Sequence, residues 1–485
     1  MHSWGKRRGL AMLAVLALTA SAACSGNKSV SANKTTGGQQ PGTTVDTQPP
    51  DTTPGASTTI AAGTGTTLKG STSKSGVKAS TVSGTGPSVA GTKQETSSGF
   101  TYTAANIFTP AQDRIGITDS QITLCTHAAL VLGPAFNDSA KDFQVYWQQL
   151  NDAGGIYGRK INQIFTDDQY SPQGGVAAAQ QCQQSNPFVM SAGVGFDTVP
   201  AVRQWAEQNK MLYLASFATE NGLYGLKYTF EPQPSVEHFG EVAGNYIGAK
   251  HPGKIGVLWR NSPNWQGGRD KFTAAVKAKG SKVVADVPVQ QNQGDYTSAI
   301  LALKSAGAET VFAWVNVLEF AQLEKQANAQ NFHPRWVTAT FNLVTDTLGH
   351  DVDGSNGHPP AVGLWVTPEY HNGDTTSPWA AEEKKMQAAY AKYDSGHTIT
   401  DTDWQVWLAF RNFQQILLDC GKDCTRNKLA GMFLAGYKLQ QDPLCAIDFS
   451  RGRGKLGSFE FNVMEGTNRN GTSGWKQVET CKETF

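Results

Sequence analysis

The sequence has almost no net charge with which to attract a polyanion. Its 41 lysine and arginine residues nearly match its 40 aspartate and glutamate residues, so the formal net charge is only +1. A protein that binds nucleic acid or an anionic membrane surface through a basic face usually carries a clear positive excess. We therefore expect no nucleic-acid partner.

The sequence also lacks the common catalytic and metal-binding motifs. It contains no Gly-x-Ser-x-Gly elbow, no His-Glu-x-x-His pair and no Walker loop. The nine histidines are scattered, and His350, His358 and His371 lie in a stretch rich in Gly, Pro and Asp without helical ligand spacing. We expect these three histidines at the surface. We also expect that the protein is not an enzyme and needs no cofactor or metal.

Long apolar runs are absent except at the N-terminus. Three basic residues, Lys6, Arg7 and Arg8, precede the run GLAMLAVLALTASAA, which ends in small residues. The run is too short to remain as a membrane-spanning helix and is typical of an export signal. Because no second long apolar run follows, we expect no membrane crossing after it.

Cys24 stands at the end of this signal, and the passage TASAAC resembles a bacterial lipobox, although Ser21 occupies a position where leucine is usual. Cleavage there would leave an acylated cysteine that anchors the protein, whereas cleavage near Ala22 would release it as a soluble secreted protein. Setting Cys24 aside leaves six of the seven cysteines. An even number in an exported protein favours the anchor, because all six can then form disulfides.

Three disulfides are expected among the remaining cysteines, although the sequence leaves their connectivity open. Cys420 and Cys424 are close enough to pair locally at a helix end. The other two pairs would be Cys125 with Cys182, and Cys445 with Cys481. A redox or metal role for CGKDC is the weaker interpretation, because the spacing is not Cys-x-x-Cys and no histidine cluster accompanies it.

Residues 25–105 follow the signal and are dominated by Ser, Thr, Gly and Pro, as in TTGGQQPGTTVDTQPPDTTPGASTT. Such a composition buries too little apolar surface to offset the entropy of the chain, so we expect a disordered tether. Behind a lipid anchor, this tether would carry a globular body away from the membrane.

From about Arg114, strand-like and helix-like stretches alternate in βαβ order. ITLCTHAAL, INQIFTDD and FVMSAG read as strands, and helical stretches separate them. After Tyr228–Ser235 the alternation restarts with KIGVLWR, KVVADVPV and TVFAWV. The pattern predicts an α/β protein of two Rossmann-like lobes, each with a mainly parallel sheet flanked by helices. Ligands of such sheets sit at the carboxyl ends of the strands, which here could face each other across a cleft.

The stretch LNDAGGIYGRKINQIFTDDQYSP, Leu150–Pro172, combines a helix end, two glycines, a turn, and a strand that ends in two aspartates. It resembles the signature of type I periplasmic binding proteins of the branched-chain (Leu/Ile/Val) amino acid-binding group, which are substrate-binding lipoproteins of ABC transporters. KIGVLWRNSPNWQGGRDKF and GDYTSAILALKSAGAETVFAW extend the resemblance, which covers roughly Gln112–Val478. The family pattern implies that Asp167 and Asp168 order a loop, with Ser171 as helix cap, instead of acting as catalytic acids.

The resemblance implies two lobes joined by a hinge, with a ligand cleft between them. It divides the chain into a signal with its lipobox-like cysteine at 1–24, a tether at 25–105, lobe 1 at 106–235, lobe 2 at 236–368, a return to lobe 1 at 369–440, and a C-terminal segment of lobe 2 at 441–485.

It also implies a set of ligand-binding residues at strand ends. In lobe 1 the loops GVGFDTVP and ASFATEN match site loops, and in lobe 2 Trp265 matches an aromatic that closes over the ligand. Each aromatic is, by the ordinary alternative, a core residue. The expected ligand-binding residues are Phe136, Gly195, Phe196, Asp197, Thr198, Phe217, Ala218, Thr219, Trp265, Asn316 and Phe341.

The function implied is that of an extracytoplasmic receptor of an ABC importer, which closes on a small ligand and delivers it to a membrane permease. The ligand would be a branched-chain or hydrophobic amino acid, an amide, or a small aliphatic or aromatic carboxylate. We expect the protein at the outer face of the cytoplasmic membrane, lipid-anchored at Cys24, or secreted if Cys24 is not acylated. The alternative is a ligand-sensing surface lipoprotein of the same fold without a transport role.

Overall fold

The computed structural model describes residues 80–81, 100–130, 142–193, 195–339, 351–371, 377–469 and 471–485. The expected signal, Cys24 and most of the tether lie outside these residues, as do Phe136, His350 and Phe341. Among the described residues, no helix is both long enough and apolar enough to cross a membrane.

Lobe 1 is built on an eight-stranded sheet with the strand order β13-β14-β15-β7-β6-β5-β3-β4. The pairs from β4 to β15 are parallel, and β13 and β14 add antiparallel pairs at one edge. The strands are β3 Gln121–Ala128, β4 Lys160–Asp167, β5 Val189–Ala192, β6 Tyr213–Leu214, β7 Thr229–Pro234, β13 Lys438–Leu439, β14 Ile447–Gly452 and β15 Leu456–Ser458.

Lobe 2 is built on a seven-stranded sheet with the order β17-β16-β12-β11-β10-β8-β9. The strands from β9 to β12 are parallel, and the β16–β17 hairpin pairs antiparallel with β12. The strands are β8 Lys254–Arg260, β9 Lys282–Val289, β10 Thr310–Trp314, β11 Arg335–Ala339, β12 Val362–Trp365, β16 Phe461–Arg469 and β17 Thr472–Lys482. A separate pair joins β1 Ser80–Thr81 to β2 Thr101–Tyr102.

Helices connect the parallel strands in both lobes, which confirms the predicted α/β class. Those of lobe 1 are α1 Pro110–Asp113, α2 Val145–Asp152, α3 Pro172–Gln184, α4 Thr198–Asn209, α9 Ala380–Tyr393, α10 Asp401–Cys420 and α11 Arg426–Leu434. Those of lobe 2 are α5 Val236–Lys250, α6 Pro263–Ala278, α7 Thr297–Ser305 and α8 Val317–Ala329.

The Leu150–Pro172 stretch folds as its sequence predicts. Gly154 and Gly155, with φ of +106° and +70°, end α2, and a Cβ on Gly155 would lie only 2.0 Å from a backbone oxygen. The Ser171 hydroxyl oxygen accepts the N–H of Gly174 at 3.0 Å and so caps α3.

The two aspartates that end β4 act on the backbone and on a buried histidine. Asp167 accepts the N–H of Gln169 at 3.0 Å, and Asp168 accepts that of Tyr170 at 2.9 Å. The second oxygen of Asp168 lies 2.8 Å from Nδ1 of His127, and both residues are at most 1% exposed. Buried Asp168 cannot reach a substrate, and Asp167, which is exposed, accepts the backbone N–H groups of Leu130 and Gln169, so both order the loop as predicted.

The chain crosses between the lobes three times, and the third crossing lies later than predicted. The sequence placed it at 441, but β14 and β15 still belong to the sheet of lobe 1, where Leu456 pairs with Glu231. The chain enters lobe 2 only at Phe461. Alternation in the sequence predicts a strand but not the sheet edge it joins, and long-range contacts such as the Lys455 amine on the Thr229 carbonyl at 3.1 Å decide that edge.

The ordered body also begins earlier than the predicted boundary at 106. Tyr102 is 3% exposed, and its hydroxyl donates to the carbonyl oxygen of Cys420 at 3.2 Å. The expectation of disorder is therefore wrong for residues 100–105, because an aromatic side chain there finds a buried place against α10.

The three expected disulfides are confirmed. One joins β3 to α3, one closes the end of α10, and one ties the segment before β14 to β17 of lobe 2; they are Cys125–Cys182, Cys420–Cys424 and Cys445–Cys481. The last of these holds the third crossing to lobe 2.

The expectation of a surface histidine is wrong for His371, whose side chain is 8% exposed. Its ring nitrogens lie 3.0 Å from a carboxylate oxygen of Glu369 and 3.0 Å from one of Glu383. Burial opposes the charged ring, but the two carboxylates outweigh it and raise the pKa of His371 to about 9. His371 thus joins the second crossing to α9.

His371→Gln should lower the free energy of unfolding in a pH-dependent way. The pKa is about 9 in the folded protein and about 6.5 in an unfolded chain. The ion pairs therefore stabilise fully below about pH 6.5 and lose their effect as the pH rises through about 9. Urea unfolding should show a loss on the order of 2 kcal/mol at pH 6 and little at pH 10. An equal loss at both pH values, or the same profile in His333→Gln, would contradict this account.

Candidate functional site

The loops that follow β5 and β6 in lobe 1 meet the ends of β8 and β10 in lobe 2. At the centre of this contact, the Asp197 carboxylate of lobe 1 accepts three hydrogen bonds from lobe 2 at 3.1 Å or less. The donors are Nη1 of Arg260 at 2.5 Å, Nδ2 of Asn264 at 3.0 Å and Nε1 of Trp265 at 3.1 Å. A single lobe 1 carboxylate is thus surrounded by lobe 2 donors.

Arg260 also forms an ion pair with a carboxylate of its own lobe. Its Nη2 donates to Glu319 at 3.1 Å, and both side chains are at most 3% exposed. Glu319 is fixed by a capping box at the start of α8, where its Oε2 accepts the N–H of Asn316 at 3.0 Å. We call Asp197, Arg260 and Glu319 the clasp. A guanidinium between two carboxylates is stable when buried only while both partners stay in place.

Five aromatic side chains fill the space beside the clasp, and none is more than 4% exposed. Phe196 stacks on Trp265 with ring centroids 4.1 Å apart, and its edge contacts Phe217 at 4.8 Å and Trp314 at 5.1 Å. Phe217 in turn meets the edge of Trp365 at 4.8 Å. We call these residues the aromatic cluster. Two come from lobe 1 and three from lobe 2, so the cluster packs the two lobes against each other.

Phe217 has a backbone φ of +47°, which bulky side chains rarely adopt. Such a residue costs on the order of 1–3 kcal/mol and persists only when its surroundings fix it. Its ring is fully buried against Phe196, Phe239 and Trp365. The strained loop therefore presents Phe217 to the other lobe.

The structure brings four of the expected site residues together, namely Phe196, Asp197, Phe217 and Trp265. Two other lobe 1 groups are occupied by neighbours. The Thr219 hydroxyl donates to Glu237 at 2.8 Å, and the Ala218 N–H donates to Glu231 at 2.7 Å. Both groups donate to carboxylates of the protein itself. The expected roles of Ala218 and Thr219 in ligand binding therefore stay predictions.

Burial raises the pKa of Glu231 to about 8, although the Arg203 guanidinium 3.6 Å away and the Ala218 N–H favour its charged form. Glu231 is fully buried and lies on β7, just before the first crossing into lobe 2.

Three more expected site residues hold local structure. Thr198 is the buried first residue of α4, and a Cβ on Gly195 would come within 2.9 Å of it, so glycine is required for this close approach. The Asn316 side chain accepts the N–H of Glu319 at 2.8 Å and caps α8. These contacts support a role of Asn316 as the N-cap of α8.

The sequence analysis missed Arg260, Glu319 and Trp314. A signal was present, because the strand KIGVLWR ends in an arginine directly after an apolar run. A buried strand that ends in a charged residue needs a partner of opposite charge. The identity of that partner, Asp197 in the other lobe, is not visible from local patterns.

A cavity of about 220 Å³ lies at the carboxyl ends of the lobe 1 strands, where Ala129, Gly193 and Ser216 line it, and α10 and the second crossing form the rest of its wall. Thr126, Ser191 and Leu214 line it from the sheet, and Val406, Phe410 and Asn412 from the helix. Trp365 of the aromatic cluster forms part of its wall. None of the expected site residues within the described chain lines this cavity.

The family profile described as "Periplasmic binding protein" matches residues 131–465. This range is more than half of the chain, and the chain belongs to that family. The family comprises solute-binding proteins, in agreement with the prediction of a non-enzyme.

Similar curated proteins carry amino acid-binding names. An "Amino acid binding protein" of Pseudomonas aeruginosa is 26% identical over 254 residues, which cover 48% of this chain and 67% of the relative. A "Leu/Ile/Val-binding protein homolog 1" of Brucella abortus is 32% identical over 170 residues, or 34% of this chain. The chain spans less than half of the Brucella relative, 45% of its length.

Solved structures share the fold. A "fatty acid ABC transporter substrate-binding protein" from Thermomonospora curvata superposes with a TM-score of 0.61 at 19% identity, over 76% of this chain and 94% of that one. A solute-binding protein of an ABC transporter from R. palustris, in complex with 4-hydroxybenzoate, has a TM-score of 0.61 at 14% identity, over 75% and 97%. These similarities confirm the type I periplasmic binding protein fold.

Arg260→Met should destabilise the protein by about 3–5 kcal/mol, because it leaves the buried Glu319 and the largely buried Asp197 without their cation. In a double-mutant cycle with Asp197→Asn, urea unfolding should give a coupling energy of about 1 kcal/mol or more. The control is Lys392→Met, which breaks an exposed pair with Asp152 and should leave the midpoint of urea unfolding almost unchanged. Additive effects of Arg260→Met and Asp197→Asn would show that the clasp does not join the lobes.

Proposed function

We propose that the protein is an extracytoplasmic solute-binding receptor of an ABC importer, which closes on a small ligand and presents it to a membrane permease. The observation that carries this proposal is the clasp, in which Asp197 of lobe 1 bonds to Arg260, Asn264 and Trp265 of lobe 2. Contacts made only between closed lobes are the means by which a hinged receptor favours its closed form.

Closure by hinge motion is also supported by the three crossings between the lobes. The chain passes between the sheets after Pro234, after Trp365 and before Phe461. Apart from Trp365, which ends β12 at the second crossing, the residues of the clasp and the aromatic cluster do not lie at a crossing, so they can separate when the hinge opens. A ligand that adds contacts to both lobes would shift the population toward the closed form that a permease recognises.

The chemistry of the interlobe contact favours a ligand with an apolar body. The walls are aromatic, and ring stacking is most favourable with an apolar or aromatic partner. Arg260 is already paired with Asp197 and Glu319, so a carboxylate ligand would bind it only by displacing Asp197. The ligands named for the similar structures, a fatty acid and 4-hydroxybenzoate, and the amino acids named for the curated relatives all fall within this class. We accordingly propose a hydrophobic amino acid, an amide, or a small aliphatic or aromatic carboxylate.

The place of action follows from the N-terminal sequence. The basic region, the single apolar run and Cys24 support export and anchoring by a lipid, with residues 25–99 as a tether. The resulting receptor would stand on the outer face of the cytoplasmic membrane. The alternative remains a ligand-sensing lipoprotein of the same fold that has no permease.

A ligand screen tests the receptor function. Residues 25–485 under non-reducing conditions would be heated with hydrophobic amino acids, short amides, and aliphatic and aromatic carboxylates. A ligand at 100 times its dissociation constant should stabilise the fold by about 2.7 kcal/mol. Trp265→Ala should abolish the stabilisation, whereas Trp379→Ala, in lobe 1 outside the aromatic cluster, should retain it. A folded protein that no compound stabilises would contradict the proposal.

A second measurement separates an importer from a sensor. Cells that lack the protein should take up the identified ligand more slowly, and the intact chain should restore uptake, whereas Cys24→Ala should restore it only in part. Unchanged uptake together with tight binding would favour the sensing lipoprotein.

A further inference from the structure

We propose that the Cys445–Cys481 disulfide is a fourth covalent link between the lobes, which fixes the position of the hinge axis and limits how far the lobes can open. Three crossings of the backbone already join the lobes. The inference rests on the proposed function, because it concerns the hinge motion by which the receptor would close. It concerns the opening of the protein alone, so its test needs no ligand.

The two cysteines belong to different lobes. Cys445 lies between β13 and β14 of the lobe 1 sheet, and Cys481 is the penultimate residue of β17 in the lobe 2 sheet. The ends of this disulfide are therefore attached to bodies that move relative to each other when the lobes separate. The other two disulfides each join residues of lobe 1 alone.

Cys445 is held to the body of lobe 1 through the segment that precedes it. The Arg411 guanidinium of α10 donates to the carbonyl oxygen of Gln441 at 3.0 Å and also to that of Asp442. Cys445 itself is only 3% exposed. Because this segment is bonded to a helix of the lobe 1 core, Cys445 follows the motion of that lobe.

Cys481 is held to lobe 2 through a buried amide. The Cys481 N–H donates to Oδ1 of Asn462 at 3.3 Å, and the side-chain amide of Gln477 donates to the same oxygen at 2.8 Å. Asn462 is fully buried on β16, one residue after the chain enters lobe 2 at Phe461. Cys481 thus lies where the third crossing reaches lobe 2.

The disulfide also lies beside the second crossing. The carbonyl oxygen of Val366, which directly follows β12, accepts the N–H of Cys445 at 3.2 Å from lobe 1 and the amide of Asn462 at 3.0 Å from lobe 2. Two crossings and the disulfide therefore meet at one place. Hydrogen bonds can be exchanged for bonds to water when the lobes move, whereas the S–S bond cannot. The covalent link is thus what keeps these segments together.

A disulfide restricts the distance between its ends to a narrow range. The Cα atoms of Cys445 and Cys481 are 5.2 Å apart. Disulfides accommodate Cα–Cα distances of about 4.4–6.8 Å, so these two points can separate by less than about 2 Å. The lobes can then open only by rotation about an axis that passes close to the disulfide. Sliding of one lobe past the other at the second and third crossings is excluded.

This restraint favours the closed form. Each open arrangement that the disulfide excludes would otherwise compete with the closed arrangement, so the open population is smaller than in a protein joined by the backbone alone. A ligand then meets lobes that are already aligned for closure, and less conformational freedom is lost on binding. The disulfide therefore positions the lobes in addition to stabilising the folded chain.

Double electron–electron resonance distances between the lobes test the inference on residues 25–485. Spin labels would be attached to p-acetylphenylalanine in place of Gln204 of α4 and Gln266 of α6, because cysteine labelling would interfere with the disulfides. Both residues are exposed, and their helices begin beside the clasp on different lobes. Asp197→Asn weakens the clasp and allows the lobes to open in each of the proteins compared.

In this background, the double substitution Cys445→Ser and Cys481→Ser should lengthen the mean distance between the labels by more than about 2 Å, the limit that the disulfide sets at its own ends. The matched control is Cys420→Ser with Cys424→Ser, whose Cα atoms are also 5.2 Å apart but both lie in lobe 1. Both variants lose a restraint on the unfolded chain and become less stable. Only the first should change the distance, and equal distances in the two variants would overturn the inference.

Hydrogen exchange at the hinge tests the inference with all disulfides intact, so it does not depend on the folding of the serine variants. In Asp197→Asn, the N–H groups of Cys445 and Cys481 should exchange within about threefold of the rates in the parent, because the disulfide holds this place together while the lobes separate. Exchange that is faster by about tenfold or more at both groups would show that the lobes part there, and would overturn the inference.

The same measurements separate failure of this inference from failure of the proposed function. If Asp197→Asn lengthens the distance between the labels and loss of the Cys445–Cys481 disulfide adds nothing, the hinge motion stands and only the inference is overturned. If the distance is the same in the parent and in every variant, hinge closure itself is contradicted, and the inference with it.

Discussion

Arg260 lies buried between two carboxylates that belong to different lobes, Asp197 and Glu319. A guanidinium removed from water is tolerated only when its donors are paired, so any movement that separates the lobes must rehydrate it or leave it with Glu319 alone. Because Glu319 is fixed at the start of α8, the cation keeps its position when Asp197 departs. The lobe 2 half of the clasp is therefore preorganised, and the lobe 1 half is the part that moves.

The aromatic cluster gives this polar contact its low dielectric. Phe196 and Trp265 stack directly beside Asp197, and Trp265 also donates to its carboxylate. Exclusion of water strengthens an ion pair but raises the cost of breaking it. Phe217 keeps a strained backbone conformation with a positive φ, and its ring completes the packing of the aromatic cluster. Closure in this protein thus depends on packing between the lobes as well as on charge.

Local sequence patterns predicted the elements well and the contacts between them poorly. Gly154, Gly155 and Ser171 determine their own backbone conformation, so the helix end and the helix cap were predictable. The engagement of Thr219 by Glu237 and the pairing of Leu456 with Glu231 join elements that are distant in the chain or ambiguous in register. Nothing in local periodicity specifies them. The sequence did not indicate the cavity either, because its volume depends on how closely α10 packs against the sheet.

The clasp bears on which ligands permit full closure. An anionic ligand in the cleft would compete with Asp197 for Arg260, so binding it would exchange one carboxylate for another and gain little Coulomb energy. A neutral ligand that contacts the aromatic side chains does not compete for Arg260 and leaves the clasp intact. Closure is driven by a difference in the affinity of the open and closed forms for the ligand. On this argument, a neutral ligand can stabilise the closed protein without disturbing the ion pair between the lobes.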